Sequence, residues 1–123
     1  DSWQAPRTMA LILRSLRAAS DPTRVRILRL LAAEELTVAE LQEILGMGQS
    51  RISASLGLLK REGLVNDRRV GKNIFYSSQG LLPEGLLPLL EAAASETKEA
   101  SNDAAALALC LRRRKDRAAA YFD

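Results

Sequence analysis

The stretch from Thr37 to Gly63 constrains this chain more than any other. Thr37 and Glu40 have the spacing of a reciprocal helix cap, and Val38, Leu41, Ile44 and Leu45 give the short helix that follows one apolar face. Gly46-Met47-Gly48 ends that helix in a tight turn. A second helix follows at once over 49–62, with Ile52, Leu56 and Leu59 at i, i+4 and i+7 pointing inward. Its opposite face carries Gln49, Ser50, Arg51, Ala54, Ser55 and Arg61, and Gly63 stops it.

The flanking segments read just as directly. Residues 8–20 form a helix striped by Met9, Ile12, Leu16 and Ala19, with Leu11 and Leu13 off the stripe. A helix apolar on two sides packs on two things, here its own core and another subunit. Asp21 caps and Pro22 opens a helix to about Ala33, whose buried side is Val25, Ile27, Leu28, Leu30 and Leu31. Arg24, Arg26 and Arg29 in that helix are either solvated or paired with Glu34 and Glu35.

After Gly63, Leu64 and Val65 and then Ile74, Phe75 and Tyr76 are strand formers around the turn Val70-Gly71-Lys72-Asn73. They predict a two-stranded hairpin with a basic tip. Residues 79–85 are punctuated by Gly80, Pro83 and Gly85. A helix then runs to about Lys98, with Leu86, Leu90, Ala93 and Ala94 on one side. Ser101-Asn102-Asp103 caps a last helix over 103–122, striped by Leu107, Ala108, Leu111, Ala118 and Phe122. The run Arg112 to Lys115, with Arg117, reads as the charged face of that helix.

Composition narrows the chemistry. The chain has 123 residues, 47% hydrophobic and 27% charged, which suits one soluble domain. It contains no histidine, so no His-based triad, general base or metal ligand exists. Its one cysteine, Cys110, lies among leucines and alanines and reads as a small core residue; no intrachain disulfide or Cys-pair metal site is available. The carboxylates are scattered over helix surfaces, so the chain is not read as an enzyme, and no metal or cofactor is expected. No apolar run is long enough for a membrane span, and Arg14 and Arg17 interrupt the N-terminal apolar stretch, so no signal peptide is read there. A reducing compartment, the cytoplasm, is expected. The chain begins at Asp1 and not at Met, so we expect a piece of a longer protein, with Met9 nearer a natural start.

Two short helices, a glycine turn and a basic hairpin together predict a mainly α winged helix-turn-helix. The second helix of such a pair is held rigidly by one buried face. Its other face must carry small polar and cationic side chains able to approach base edges and phosphates. Gln49 suits adenine in the major groove, Arg51 suits guanine or a phosphate, and Ser50, Ser53 and Ser55 are short enough to let the backbone come close. Between 48 and 76 there are six cations (Arg51, Lys60, Arg61, Arg68, Arg69, Lys72) and two anions (Glu62, Asp67), a net +4 against +3 for the whole chain. The expected DNA-binding set is therefore Gln49, Ser50, Arg51, Ser53, Ala54, Ser55 and Arg61 on the reading helix and Arg68, Arg69 and Lys72 on the wing.

The order DPTRVRILRLL, ELTVAEL, GQSRISASLGLLKREGLV and a wing ending in IFY resembles the ArsR/SmtB family of bacterial repressors over residues 9–78. The resemblance implies a homodimer on an inverted-repeat operator in double-stranded DNA, released by an inducer. It places the reading helix at Gln49 to Arg61 and the wing at Arg68 to Asn73. Many relatives carry a cation where this chain has Ala54 and a histidine where it has Ser55, so affinity here leans on the wing. Metal-sensing members place cysteines in the segment matching ELTVAEL, where this chain has Thr37 and Val38; a small-molecule inducer, not a thiolate- or imidazole-bound metal, is expected.

The expected layout is a DNA-binding domain over 8–78 and a C-terminal helical dimerisation segment or linker over 79–123, with helices 8–20, 84–98 and 103–122 forming the dimer interface. A second resemblance, in LRRRKDRAAAYFD, is to the linker of fusions with S-adenosylmethionine-dependent methyltransferases. It implies an alternative: a regulatory and dimerisation module of such a fusion, sensing S-adenosylhomocysteine.

Overall fold

A computed structural model describes residues 6–122, without the side chains of Tyr121 and Phe122. The elements are α1 (Arg7–Ala19), α2 (Pro22–Ala33), α3 (Val38–Leu45), α4 (Gln49–Arg61), β1 (Asn66–Val70), β2 (Asn73–Ser77), α5 (Leu86–Ala94) and α6 (Lys98–Phe122). The fold is the mainly helical winged helix-turn-helix the sequence predicts.

Local chemistry sets the first boundaries. The Asp21 carboxylate accepts from the Arg24 amide at 3.0 Å and Pro22 opens α2. Thr37 and Glu40 form the full capping box of α3. Gly46 adopts φ +66°, the left-handed conformation that ends a helix cheaply only at glycine. The buried faces of α2, α3 and α4 then converge: Ile27, Leu28, Leu31, Leu41, Ile52, Leu56 and Leu59 are all within 2% of full burial. Together with Leu36 and Leu64 they form the core against which α4 is fixed.

The hairpin is antiparallel, with Arg68 opposite Phe75 and Arg69 opposite Ile74. Gly71 at its tip takes φ +61°, as the tight mirror-image hairpin turns require. At its base Leu36 and Tyr76 exchange backbone hydrogen bonds of 3.1 and 2.8 Å, which ties β2 to the segment before α3. Leu64 and Val65, expected in the first strand, lie before it and are 1% and 2% exposed. Core burial, not strand pairing, uses their apolar side chains.

Three further expectations need correction. In α1 the buried line is Ser15, Ala18 and Ala19, while Met9, Leu11, Ile12, Leu13 and Leu16 are exposed. Small side chains let α1 lie close on α2, and the long ones face out. The break expected at 99–102 lies earlier: α5 ends at Ala94, and the Thr97 hydroxyl accepts from the Ala100 amide at 3.2 Å to start α6. Asp103 is therefore no cap but an interior residue, 3% exposed. The inner line of α6 runs through Asp103, Leu107, Cys110 and Arg114, while Ala108 and Ala118 are exposed. The Phe122 side chain, expected in that stripe, lies outside the described residues.

Residues 111–122 are the second half of α6, as the helix expected over 103–122 implies. That helix packs on α2 and α3 of its own chain.

Candidate nucleic-acid interface

The leucines of α4 are spent on the core, so its opposite face is free. Gln49, Ser50, Arg51, Ser53, Ala54 and Arg61 are exposed and Ser55 is half-buried. No side chain caps the helix at Gly48, which leaves its first-turn amides turned to the surroundings. The Arg51 guanidinium donates from Nη2 to the Thr23 hydroxyl at 2.8 Å, anchoring α4 to the start of α2. Thr23 is 3% exposed, so its hydroxyl is a fixed support for Arg51. Sequence reasoning missed it because its partner lies 28 residues away.

The wing divides its cations between two faces, because successive strand residues point to opposite sides. Asp67 and Arg69 share the face turned to α4, where Asp67 accepts from Lys60 at 2.9 Å. That bond holds the Lys60 ammonium above its ordinary pKa. Arg68 points to the other face and is bidentate to Glu35, with Nε to Oε2 at 2.7 Å and Nη2 to Oε1 at 2.6 Å. The Arg68 hydrogen bonds hold the Glu35 carboxyl below its usual range. Among the described residues, Arg61, Arg69 and Lys72 make no ion pair. The expected site residues thus lie on the exposed face of α4 and on the hairpin, where Arg68 is engaged by Glu35.

Several of the remaining arginines form tertiary contacts that the sequence reading did not find. Arg26 is bidentate to Asp103 of α6 at 2.8 Å on both bonds, and Arg29 reaches Glu91 of α5 at 2.7 Å. Arg24 donates to the Ala18 carbonyl. None of the three pairs with Glu34 or Glu35. In α6, Arg112, Arg113, Lys115 and Arg117 are exposed as expected, and Arg113 pairs with Glu43. Arg114 is the exception: it bonds both oxygens of Glu40, at 2.7 and 3.1 Å, and the Glu35 carbonyl at 3.1 Å. Burial pushes the Glu40 carboxyl up, but the hydrogen bonds from Arg114 and the Thr37 amide outweigh it and hold it below the ordinary range. Burial, aided by the Glu40 charge, raises the Cys110 thiol, so it stays protonated at neutral pH.

Among the described residues no group of three or more His, Cys, Asp or Glu is placed to hold a metal ion, and no helix is long and apolar enough to cross a membrane. What the geometry offers is a rigid polar helix face flanked by a cationic hairpin.

Known proteins are similar to this chain in sequence and in fold. Residues 21–67 match the family described as bacterial regulatory protein, arsR family. The chain is 36% identical over 75 residues to the transcriptional activator HlyU of Vibrio cholerae, covering 61% of this chain and 69% of that protein. It is 40% identical over 60 residues to a transcriptional repressor SmtB homolog of Synechocystis, covering 49% of this chain and 46% of the relative. Most of the curated relatives are matched over little more than half their length. Among solved structures, the homodimeric winged helix-turn-helix DNA-binding domain of Mb0332 from Mycobacterium bovis superposes with a TM-score of 0.61 at 32% identity, covering 80% of this chain and 94% of that one. Sequence and fold agree that this chain belongs to the ArsR family of bacterial regulatory proteins.

Proposed function

We propose that this chain is a sequence-specific DNA-binding transcriptional repressor, acting in the cytoplasm as a homodimer on an inverted-repeat operator. The observation that carries the reading is the exposed polar face of α4, held by buried Ile52, Leu56 and Leu59 and flanked by Arg69 and Lys72 of the wing. Gln49, Ser50, Arg51, Ser53, Ala54 and Ser55 meet base edges and the backbone around them. Arg61, Arg69 and Lys72 meet phosphates. Arg68 joins them only by leaving Glu35.

Residues 8–78 act as the DNA-binding unit, and 79–123 complete the dimer surface. The support is an apolar surface across α1 and α5, where Leu11, Ile12, Leu16 and Leu89 are 40–56% exposed on one protomer. Such a surface calls for a partner, and a second copy supplies two reading helices about 34–36 Å apart. A small-molecule inducer shifts the dimer to a weakly binding conformation.

Fluorescence anisotropy against genomic fragments and a random-sequence duplex tests the proposal. Four cations per protomer (Arg51, Arg61, Arg69, Lys72) give a logarithmic salt slope of about −7 for the dimer. Gln49→Ala relaxes preference at one base position by about 1–3 kcal/mol. A chain that prefers no fragment over random DNA refutes the assignment.

A further inference from the structure

A two-stranded hairpin alone is marginally stable in water and takes its position from what packs on it. Here the face turned to α4 is tied by Asp67 to Lys60, and the base by Leu36 to Tyr76. The opposite face carries Arg68 and half-buried Phe75, directly across the ladder from each other. Arg114, one turn after Cys110 on the inner line of α6, reaches that face. Its guanidinium carbon lies 5.5 Å from the Phe75 ring centroid, and that of Arg68 lies 5.8 Å from it. Two cations at one ring repel each other unless anions hold them. Glu35 binds Arg68 through its carboxylate and Arg114 through its carbonyl, while Glu40 takes the rest of the Arg114 fork.

We propose that Arg114 is a positioning residue for the wing. It locks Phe75 and the Glu35–Arg68 pair to α3, and so makes the C-terminal helix a determinant of how firmly the wing grips DNA. Arg114 touches no nucleic acid itself. A guanidinium suits this task because its planar fork takes both oxygens of Glu40 while it stays within cation–π range of Phe75; an ammonium can sit near a ring but lacks the fork. The consequence for DNA rests on the reading proposed above; the bracing of the hairpin does not.

Amide hydrogen exchange on the free protein tests the bracing without DNA. Arg114→Ala speeds exchange of the β1 and β2 amides tenfold or more relative to α4, Arg114→Lys recovers only part of the protection, and Arg113→Ala, whose partner Glu43 is exposed, changes nothing. Phe75→Leu keeps the apolar bulk, removes the ring, and loosens the same amides. A uniform rise over all elements, or an unchanged wing, overturns the proposal.

Anisotropy with a random-sequence 30-base-pair duplex then reads the consequence. Arg114→Ala weakens binding three- to tenfold, and Arg69→Ala in that background costs less than it does in the parent protein. Full additivity of the two losses overturns the link from α6 to the grip on DNA. If the parent protein binds no duplex, the DNA reading and this link fall together, while the exchange result still decides the bracing.

Discussion

Asp103→Ala should destabilise this protein more than most single substitutions. The Asp103 side chain is 4% exposed and accepts both hydrogen bonds of the Arg26 fork at 2.8 Å, while Arg26 keeps 20% of its side-chain surface. Removing the carboxylate leaves a guanidinium that cannot lose its proton in a site with little water. Breaking a buried pair from one side costs about 3–5 kcal/mol, and the residual water at Arg26 brings the expectation to about 2–3 kcal/mol. Domains of this size are stable by about 5–15 kcal/mol, so that loss lowers the unfolding midpoint by roughly ten degrees.

Urea unfolding followed by circular dichroism measures it, at one protein concentration because assembly contributes to apparent stability. Asp103→Asn should fall between the two. The combined Arg26→Met and Asp103→Leu protein should return to within about 1 kcal/mol of the parent, since the cost comes from the stranded charge. A loss under about 1 kcal/mol for Asp103→Ala, or a double variant no better than the single one, refutes the reasoning.

Other consequences concern α4, pH and assembly. Gly57→Ala should stabilise by about 0.5–1 kcal/mol, read in the same urea titration, because glycine is a poor interior helix residue. The added Cβ meets only Arg61 Nη1, at an ordinary 3.7 Å. Glu40 has a lower pKa folded than unfolded, so its contribution is complete above the unfolded value of about 4.3 and is lost as pH falls through the folded one. Stability measured from pH 6 to 3 should therefore drop less steeply in Glu40→Gln than in the parent. Leu89→Glu places a charge on a residue 56% exposed beside Ile12 and Leu16, and should give a monomer by light scattering with its circular dichroism unchanged.

Much of the framework of the candidate interface could be read before any coordinates. The Asp21 cap, the Thr37–Glu40 box, the glycines at 46, 48 and 63 and the spacing of Ile52, Leu56 and Leu59 each act within about one helical turn. Such signals are written in neighbouring residues, so α2, α3, α4 and the polar face of α4 followed from them. On the wing the sequence reading grouped Arg68 with Arg69 and Lys72, and only the strand register divides Arg68 from Arg69.

Charge partners were another matter. Arg26 finds Asp103 at a separation of 77 residues, Arg114 finds Glu40 at 74, and Arg68 finds Glu35 at 33. An arginine has the same sequence signature whether it faces water, a carboxylate or a phosphate. Its flexible stem lets packing choose the partner.

The same holds for the helices that border the motif. Local spacing alone predicted helices over 8–20 and 103–122, where the structure has Arg7–Ala19 and Lys98–Phe122. Which side of each faces inward was settled by shape: the small Ser15, Ala18 and Ala19 allow α1 to approach α2 more closely than its leucines would. The buried Arg26–Asp103 pair turns an aspartate toward the interior of α6 where apolar patterning had put it at the helix start. Hydrogen bonds along the backbone are short-range and specify the elements; the pairing of charges and the choice of packing face exist only once distant segments meet.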